Sequence, residues 1–328
     1  MNRKIQVLRG LAIIAVILIH TCPGTFAGIF IRAAVNYAVA LFVFCSGYLT
    51  KTEYPDTGKF YKKRLTRVWI PYVIWSLLYT FAYKIDDGIP LSTVPKSYIF
   101  NLIFGTANFS LYFVIVYTIL TLLTPLIGKL LSSKYRWIGW WITPVYMILT
   151  TYIPLLTGRT LIPGIILSFL RFQWFGFYYL GMALGNHVIE YDRPMKQTVL
   201  IYLFTLLIAI GEGLIWNHFG NFNMATTQAR LSCLLSSSFA CVLAFQYLEN
   251  PRLDASGKAE KILAFIGDYS FGIYLMHVMF IGLLGRIPVY RSLPFPLNSL
   301  ILLGCTLGTL VLIDRCFHGK LNRILGVR

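Results

Sequence analysis

Ten consecutive small or apolar residues, Gly10–Ile19, separate Arg9 from His20 close to the start of the chain. In hydrocarbon an α-helix satisfies its backbone hydrogen bonds within one segment, so such a run predicts a helix that crosses a membrane. Apolar runs recur to the end of the chain and predict about ten spans. Their approximate bounds are 9–22, 30–49, 68–83, 111–131, 137–155, 172–185, 198–216, 231–248, 263–284 and 298–317.

The composition favours an all-α, polytopic membrane helix bundle. Hydrophobic residues make up 57% of the 328 residues and charged residues only 12%, whereas a soluble domain is about one quarter charged. The net charge of +17 does not indicate nucleic-acid binding, because acidic residues are few and basic ones cluster in short connecting segments. No internal repeat or soluble linker divides the sequence, so residues 1–328 are predicted to form a single integral-membrane domain.

The distribution of basic residues predicts the orientation in the membrane. With a cytoplasmic N-terminus, most of the 29 Lys and Arg fall in cytoplasmic segments, and an even number of spans returns the C-terminus to the same side. Residues 99–110 begin apolar but contain Gly105 and Asn108. We interpret them as an outer amphipathic or re-entrant piece, since a full span there would invert every later segment.

Arg9 and His20 share one face of the first predicted helix. Eleven steps of about 100° bring His20 to within roughly 20° of Arg9, and the rise between their Cα atoms is about 16 Å. With Arg9 at the membrane surface, His20 lies near the middle of a hydrocarbon layer about 30 Å thick. Ionisable side chains at that depth usually line a functional cavity, so we interpret the pair as a site. The alternative is a histidine that packs between helices and binds a backbone carbonyl.

A dense basic cluster, Lys62–Arg67, precedes the third predicted helix. Arg64 and Arg67 are three residues apart and therefore share a helix face. Two guanidinium groups so placed can bind phosphate oxygens in bidentate fashion, with Lys63 beside them. Anchoring to anionic lipid headgroups is the alternative, and it is a common role of juxtamembrane basic residues.

Three further ionisable residues fall within or beside apolar segments. Glu212 lies near the end of the seventh predicted helix, where it can accept from a cationic group or orient a histidine. A solvated position at the outer interface explains Glu212 equally well. Arg32 and Arg171 lie near the outer ends of the second and sixth helices, where snorkelling to the interface is the simpler interpretation.

A polar stripe marks the ninth predicted helix. Ser270, Tyr274 and His277 follow one another at spacings of four and three residues, on one face. Such a stripe either binds a ligand or holds helices together in lipid. The cysteines fall mostly in apolar segments and lack the spacing of metal ligands, so we expect neither a metal site nor a disulfide framework.

Taken together, four sequence features resemble the membrane-bound acyltransferase-3 family, which O-acylates bacterial surface glycans. The features are Arg9 and His20 in a Leu-Arg-Gly-Leu-Ala-Ile context, the Phe-x-x-Ser-Gly-Tyr-Leu type sequence that ends at Leu49, the paired Arg64 and Arg67, and the Ser-x-Gly-Ile-Tyr-Leu-x-His signature of Ser270–His277. They occur in the family's order and spacing and cover essentially the whole chain. The length is similar to that of short members without a soluble esterase-like domain.

The chain departs from the family pattern at two positions. Gln6 stands where members often have an aspartate, three residues before Arg9. The fourth predicted helix opens with Ser110-Leu111-Tyr112-Phe113 instead of a His-Leu-Trp type sequence. Tyr112 can stack on a sugar but offers a different shape on the acceptor side.

The resemblance implies an acyl-CoA-dependent O-acyltransferase of the bacterial cytoplasmic membrane. The donor, in the first instance acetyl-CoA, docks its phosphates on Arg64, Arg67 and Lys63 and extends along Arg9 towards His20. His20 acts as general base for a hydroxyl of a surface polysaccharide or its lipid-linked precursor, or else carries the acyl group itself. Tyr274, His277, Ser270, Tyr112, Glu212 and Arg32 are then candidates for the acceptor side.

Two functions without catalysis compete with this interpretation. A transporter for a glycolipid would also have about ten helices with few charges inside the membrane. A subunit of a polysaccharide export complex would not bind CoA. The dense basic cluster and the lack of an inverted repeat favour the enzyme. The sequence does not reveal the acceptor sugar, and the acyl group stays open because the volume of its pocket depends on tertiary packing. The formation of a homo-oligomer stays open too, because a lipid-facing surface has the composition of an interface.

Overall fold

The protein is built from α-helices. A computed structural model describes residues 2–317 and 319–327. The structure is 76% helical and contains no strand in these ranges. This result confirms the predicted all-α, polytopic class.

Eighteen α-helices follow one another in the described ranges. They are α1 (Arg3–Thr21), α2 (Phe26–Val35), α3 (Tyr37–Tyr48), α4 (Thr57–Asp86), α5 (Val94–Phe104), α6 (Tyr112–Leu131), α7 (Ile138–Met147), α8 (Ile153–Thr157), α9 (Gly164–Phe169), α10 (Phe175–Gly185), α11 (Met195–His218), α12 (Phe222–Thr226), α13 (Leu231–Glu249), α14 (Lys258–Asp268), α15 (Ser270–Leu284), α16 (Pro288–Arg291), α17 (Leu297–Cys316) and α18 (Lys320–Leu325). Leu91–Thr93 and Phe172–Trp174 form 3₁₀-helices, and Ile148–Tyr152 forms a π-helix.

Seven helical runs of the described chain are long and apolar enough to cross a membrane, or eight if the bent pair α14 and α15 is one span. The seven are α1, α2 with α3, α6, α7 with α8, α11, α12 with α13, and α17. The two other predicted spans correspond to α10, which has only 11 residues, and α4, which begins with the basic cluster. The count of ten and the cytoplasmic position of both termini therefore stay predictions.

Two predicted spans are interrupted, whereas the segment before the fourth span is too short to be a span, as the sequence predicted. The helical pattern of the second span is interrupted at Asn36, and the ninth predicted span is broken at Tyr269. Before the fourth span, α5 is only 11 residues long and ends at Gly105, whose φ of +68° lies in the left-handed region that glycine tolerates. A helix of 11 residues rises about 16 Å, which is too short to cross a membrane.

The contacts between Cα atoms divide the chain into two compact units. The first unit comprises residues 1–53, 124–167 and 171–267, and the second comprises 54–123, 168–170 and 268–328. The single integral-membrane domain stays a prediction, and the two units are described separately below.

Close packing of α3 against α10 forms the centre of the first unit. A methyl group on Gly47 would overlap the carbonyl oxygen of Tyr178, and one on Gly181 would overlap that of Phe44. Small residues let helix backbones approach in this way where lipid offers no hydrophobic driving force. The buried hydroxyl of Tyr178 lies 2.8 Å from that of Thr124, so the contact also satisfies a polar group.

Aromatic side chains of α4 organise the second unit through their polar ends. The hydroxyl of Tyr72 donates to the carbonyl of Leu102 at 2.8 Å, and that of Tyr79 donates to the carbonyl of Leu275 at 2.7 Å. The indole of Trp75 donates to the carbonyl of Leu325 at 3.0 Å. Helices α5, α15 and α18 are thereby each joined to α4.

Candidate active site

Helix α1 carries Arg9 and His20 on one unbroken 19-residue element. The side chain of Asn2 caps its start by accepting from the backbone N–H of Lys4 at 3.0 Å. Arg9 and His20 are half-buried, whereas most residues between them are buried. Because the helix is continuous, Arg9 and His20 lie on one face, and their Cα atoms are about 16 Å apart along the helix axis.

Gln6 supplies a hydrogen bond to Arg9. Its side-chain oxygen accepts from the Nη1 of Arg9 at 3.1 Å, and Gln6 itself is buried. The residue that departs from the family pattern thus still binds the arginine three positions further on. The amide differs from a carboxylate in leaving the positive charge of Arg9 uncompensated by this contact.

Arg32 binds the end of α1 at which His20 lies. Its Nη1 donates at 2.7 Å to the carbonyl of Ile19, the residue before His20. Carbonyl groups in the last turn of a helix lack helical partners, and a cation there also complements the helix dipole. The half-buried Arg32 is thus anchored on the end of α1.

Glu212 belongs to a hydrogen-bonded group between α11, the π-helix and the start of α13. Its Oε1 accepts from the hydroxyl of Tyr152 at 2.7 Å and from the indole of Trp216 at 3.2 Å. The hydroxyl of Tyr152 in turn accepts from the backbone N–H of Leu231 at 3.0 Å. Glu212 is half-buried, and the Tyr152 hydroxyl and the Trp216 indole hold its carboxylate, the former being oriented in turn by the Leu231 N–H.

Arg230 is a buried charge that sequence analysis missed. Its side chain is 0% exposed. The guanidinium donates to the carbonyls of Ala209 at 2.8 Å and Thr227 at 3.3 Å, and the charge of Glu212 interacts with it. In the sequence Arg230 merely precedes an apolar run and looks like a boundary residue, so only its proximity to Gly211-Glu212-Gly213 in the fold reveals it.

The basic cluster occupies the second and third turns of α4 in the second unit. Lys63 and Arg67 are exposed, and Arg64 is half-buried with its guanidinium carbon 5.1 Å from the centre of the Phe60 ring. A cation over an aromatic face is held in one orientation while its charge stays available. Both arginines therefore remain candidates for binding a phosphate.

Asp56 caps α4 and defines where this basic segment begins. Its Oδ1 accepts from the backbone N–H of Lys59 at 2.9 Å, and its Oδ2 lies 3.3 Å from the Nζ of Lys59. The hydrogen bond from the Lys59 N–H lowers the pKa of the Asp56 carboxyl below its ordinary value. The hydrogen bond of the cap is therefore strongest when the carboxyl is ionised.

The polar stripe of α15 is buried within the second unit. Ser270 and His277 are 0% exposed, and the Nδ1 of His277 lies 2.8 Å from the carbonyl of Tyr274. The hydroxyl of Tyr274 donates to the carbonyl of Ser110 at 2.8 Å. This contact brings the stripe to the start of α6, where Tyr112 is half-buried.

The structure thus groups the predicted site residues within each unit. In the first unit, Arg32 joins the end of α1 that carries His20, while Glu212 binds Tyr152 and Trp216. In the second unit, the α15 stripe joins the opening of α6, and the basic cluster lies on α4. No group of three potential metal ligands occurs among the described residues.

Comparison with known protein families gives one match, to a model described as an acyltransferase domain, over residues 2–315. The chain belongs to the acyltransferase-3 family. No curated protein and no solved structure matches it. The family membership and the apolar helices together make this acyltransferase a multi-pass membrane protein.

Gly213 is expected to be essential for the position of Arg230 in this acyltransferase. A methyl group there would lie 2.8 Å from the Cγ2 of Ile29, 3.0 Å from the Ala225 carbonyl and 3.0 Å from the Nη1 of Arg230. Gly213→Ala should therefore lower the free energy of unfolding by about 1–3 kcal/mol, as overpacking does. The measurement is the thermal unfolding midpoint in detergent.

Gly211→Ala is the matched control on the same helix. A methyl group at Gly211 meets no atom within 4 Å. Replacing this helical glycine should leave stability unchanged or raise it by up to about 1 kcal/mol. Equal midpoints for the two variants would contradict the proposed packing of Arg230.

Acidification is expected to weaken the cap of α4. The pKa of Asp56 is lower in the folded than in the unfolded chain, so its stabilisation is complete above the unfolded value and is lost as pH falls through the folded one. Hydrogen-exchange protection of the Lys59 amide, corrected for the intrinsic rate, should therefore fall below about pH 4. Asp56→Asn should retain protection at low pH, and Asp56→Ala should lack it throughout. Protection in the wild type that does not change down to about pH 2 would contradict the cap.

Proposed function

We propose that this acyltransferase moves an acyl group, in the first instance acetyl, from cytoplasmic acyl-CoA to a hydroxyl of a cell-surface polysaccharide or its lipid-linked precursor. Its place of action would be the bacterial cytoplasmic membrane. Family membership supports acyl transfer in general. The observation that carries the finer proposal is the half-buried face of α1, which presents Arg9 and His20 on an unbroken helix with Arg32 at its end.

His20 is the proposed general base. A neutral imidazole accepts the proton of the acceptor hydroxyl while the hydroxyl oxygen bonds to the thioester carbonyl carbon. The carbon–sulfur bond then breaks, and the imidazolium returns the proton to the CoA thiolate. The products are the acylated acceptor and free CoA. Arg32 fixes the backbone beside His20, so its proposed role is to position the base.

Arg64, Arg67 and Lys63 are the proposed ligands of the CoA phosphates. The exposed Lys63 and Arg67 and the Phe60-supported Arg64 lie within two turns of one helix. Guanidinium groups bind phosphate oxygens in bidentate fashion, which an ammonium group does not. Arg9 would contact the donor closer to the thioester.

The α15 stripe and the opening of α6 are proposed to shape the acceptor side. The hydroxyl of Tyr274 binds the carbonyl of Ser110, and the Nδ1 of His277 binds the carbonyl of Tyr274 within α15. They would therefore act by holding the wall of the site, together with Ser270. The half-buried Tyr112 can contact a sugar directly, and Glu212 can accept from its hydroxyl groups.

Loss of His20 should abolish transfer without unfolding the protein. With purified protein in lipid nanodiscs, radiolabelled acetyl-CoA and the lipid-linked saccharide extracted from the expressing cells, we expect His20→Ala to lower the rate about 10²–10⁴-fold. His218→Ala, which changes an exposed histidine at the end of α11, should keep the wild-type rate. Normal transfer by His20→Ala would remove His20 from the mechanism.

Loss of the arginine pair should weaken donor binding. Hydrogen bonds to charged groups contribute about 1.5–3 kcal/mol each, so Arg64→Ala/Arg67→Ala should raise the Kd for acetyl-CoA at least about tenfold. Lys59→Ala/Lys62→Ala removes the same charge from the same helix and should change the Kd much less. If both double variants raised the Kd equally, the binding would be a general electrostatic attraction. If the wild type showed no saturable binding of acetyl-CoA, the acyl-CoA donor would be refuted.

A further inference from the structure

Helices α1 and α14 touch through their backbones beside Arg9, within the first unit. A methyl group on Gly10 would overlap the carbonyl oxygen of Leu263, and one on Gly267 would overlap the carbonyl oxygen of Gln6. In both cases the obstacle is backbone, which cannot rotate away as a flexible side chain can. Each helix thus lays a glycine on the backbone of the other, and the two contacts lie at the two ends of the turn that carries Arg9.

The spacing of these contacts shows that one face of each helix is involved. Gln6 and Gly10 are four residues apart in α1, and Leu263 and Gly267 are four residues apart in α14. The glycine hydrogen that stands in place of a methyl group points at the opposite carbonyl oxygen, which is the geometry of a Cα–H···O contact between helices. Only glycine permits this approach at either position.

A small apolar core continues the contact between α1 and α14. It consists of the buried side chains of Val7, Ala255 and Ala264, against which Tyr247 and Leu263 pack. Val7 belongs to the same turn of α1, and Ala264 belongs to α14. A displacement of this turn would therefore disrupt both the glycine contacts and the apolar core.

The side chain of Gln6 connects this fixed turn to Arg9. Gln6 is 4% exposed, and its side-chain oxygen accepts from the Nη1 of Arg9 at 3.1 Å. An arginine that is held before its ligand arrives loses less side-chain entropy on binding, so the ligand binds more tightly. The position of the amide depends on the backbone of Gln6, and Gly267 of α14 lies directly on that backbone.

We infer that Gln6 is a positioning residue, which α14 holds in place through Gly267 and which orients the guanidinium of Arg9 towards the acyl-CoA donor. The inference rests on the proposed function, because that function supplies the donor. Neither Gln6 nor Gly267 touches the donor itself, and both act through Arg9. Gln6 thereby has a defined role at the position where members of the family often have an aspartate.

A double-mutant cycle on donor binding tests the role of Gln6. In lipid nanodiscs, Gln6→Met removes the hydrogen-bond acceptor at similar length and should raise the Kd for acetyl-CoA about fivefold. The same change in an Arg9→Ala background should leave the Kd of that background unchanged, because Gln6 acts only through Arg9. An equal rise in both backgrounds, or no rise in the wild type, would overturn the inference.

Gly267→Ala tests the part played by α14 in the same cycle. Its methyl group would push α14 away from Gln6, so the Kd should rise about fivefold in the wild type and not in the Arg9→Ala background. Ala264→Val adds bulk to the adjacent apolar core and replaces Gly267→Ala if that variant does not fold. Gly211→Ala, whose methyl group meets no atom within 4 Å, is the control and should leave the Kd unchanged.

The chemical reactivity of Arg9 gives a measurement that needs no donor. Phenylglyoxal modifies guanidinium groups, and mass spectrometry of the full chain quantifies the modified peptides in the absence of acetyl-CoA. We expect Gln6→Met and Gly267→Ala to raise the modification rate of Arg9 about fivefold, with no change at the exposed Arg159. An unchanged rate at Arg9 would overturn the inference.

The two measurements separate this inference from the proposed function. If the variants raise the reactivity of Arg9 and the wild type shows no saturable binding of acetyl-CoA, Gln6 and α14 position Arg9 as inferred, and the acyl-CoA donor is refuted. If the wild type binds acetyl-CoA and the variants change neither the Kd nor the reactivity, the donor stands and the positioning role fails.

Discussion

Each backbone amide and carbonyl in the apolar part of this protein requires a partner from the protein, because hydrocarbon provides none. Long helices such as the 24-residue α11 satisfy this requirement internally. Where the helical pattern is interrupted, side chains bind backbone groups. Gln228 donates to the carbonyl of Asn36, and Tyr152 accepts from the N–H of Leu231. The polar side chains of the first unit therefore collect at its helix interruptions.

The same requirement explains how the arginines of the first unit are held. The chain has 29 basic and only 12 acidic residues, so carboxylates cannot pair with most cations. Arg32 instead binds the carbonyl of Ile19, and the fully buried Arg230 binds those of Ala209 and Thr227. The carbonyl of Ile19 lies at a helix end and that of Thr227 directly after α12, whereas that of Ala209 lies within α11; none of them neutralises the charge. A guanidinium held by a backbone carbonyl fixes the segment that carries this carbonyl, which is the role we propose for Arg32 beside His20.

In the second unit, aromatic side chains perform the corresponding task for a long helix with a basic start. Tyr72, Tyr79 and Trp75 bury their rings and donate from their polar ends to carbonyls of other helices. This combination of apolar body and polar tip suits an interior without water. It holds the apolar part of α4 in place while its first turns, capped by Asp56, present Lys63 and Arg67 to solvent.

The sequence by itself determined the all-α membrane class, the unbroken first helix with Arg9 and His20 on one face, and the family, because apolarity and spacing are properties of the chain read locally. Only the tertiary structure decided that the second span is interrupted at Asn36, that the ninth is broken at Tyr269, and that Arg230 is buried. The interruption at Asn36 is joined to a distant part of the chain, because Gln228, 192 positions further on, donates to its carbonyl. A charge is buried only if distant carbonyls and a glycine such as Gly213 make room for it. Such partners depend on which segments pack together, and no local pattern contains that information.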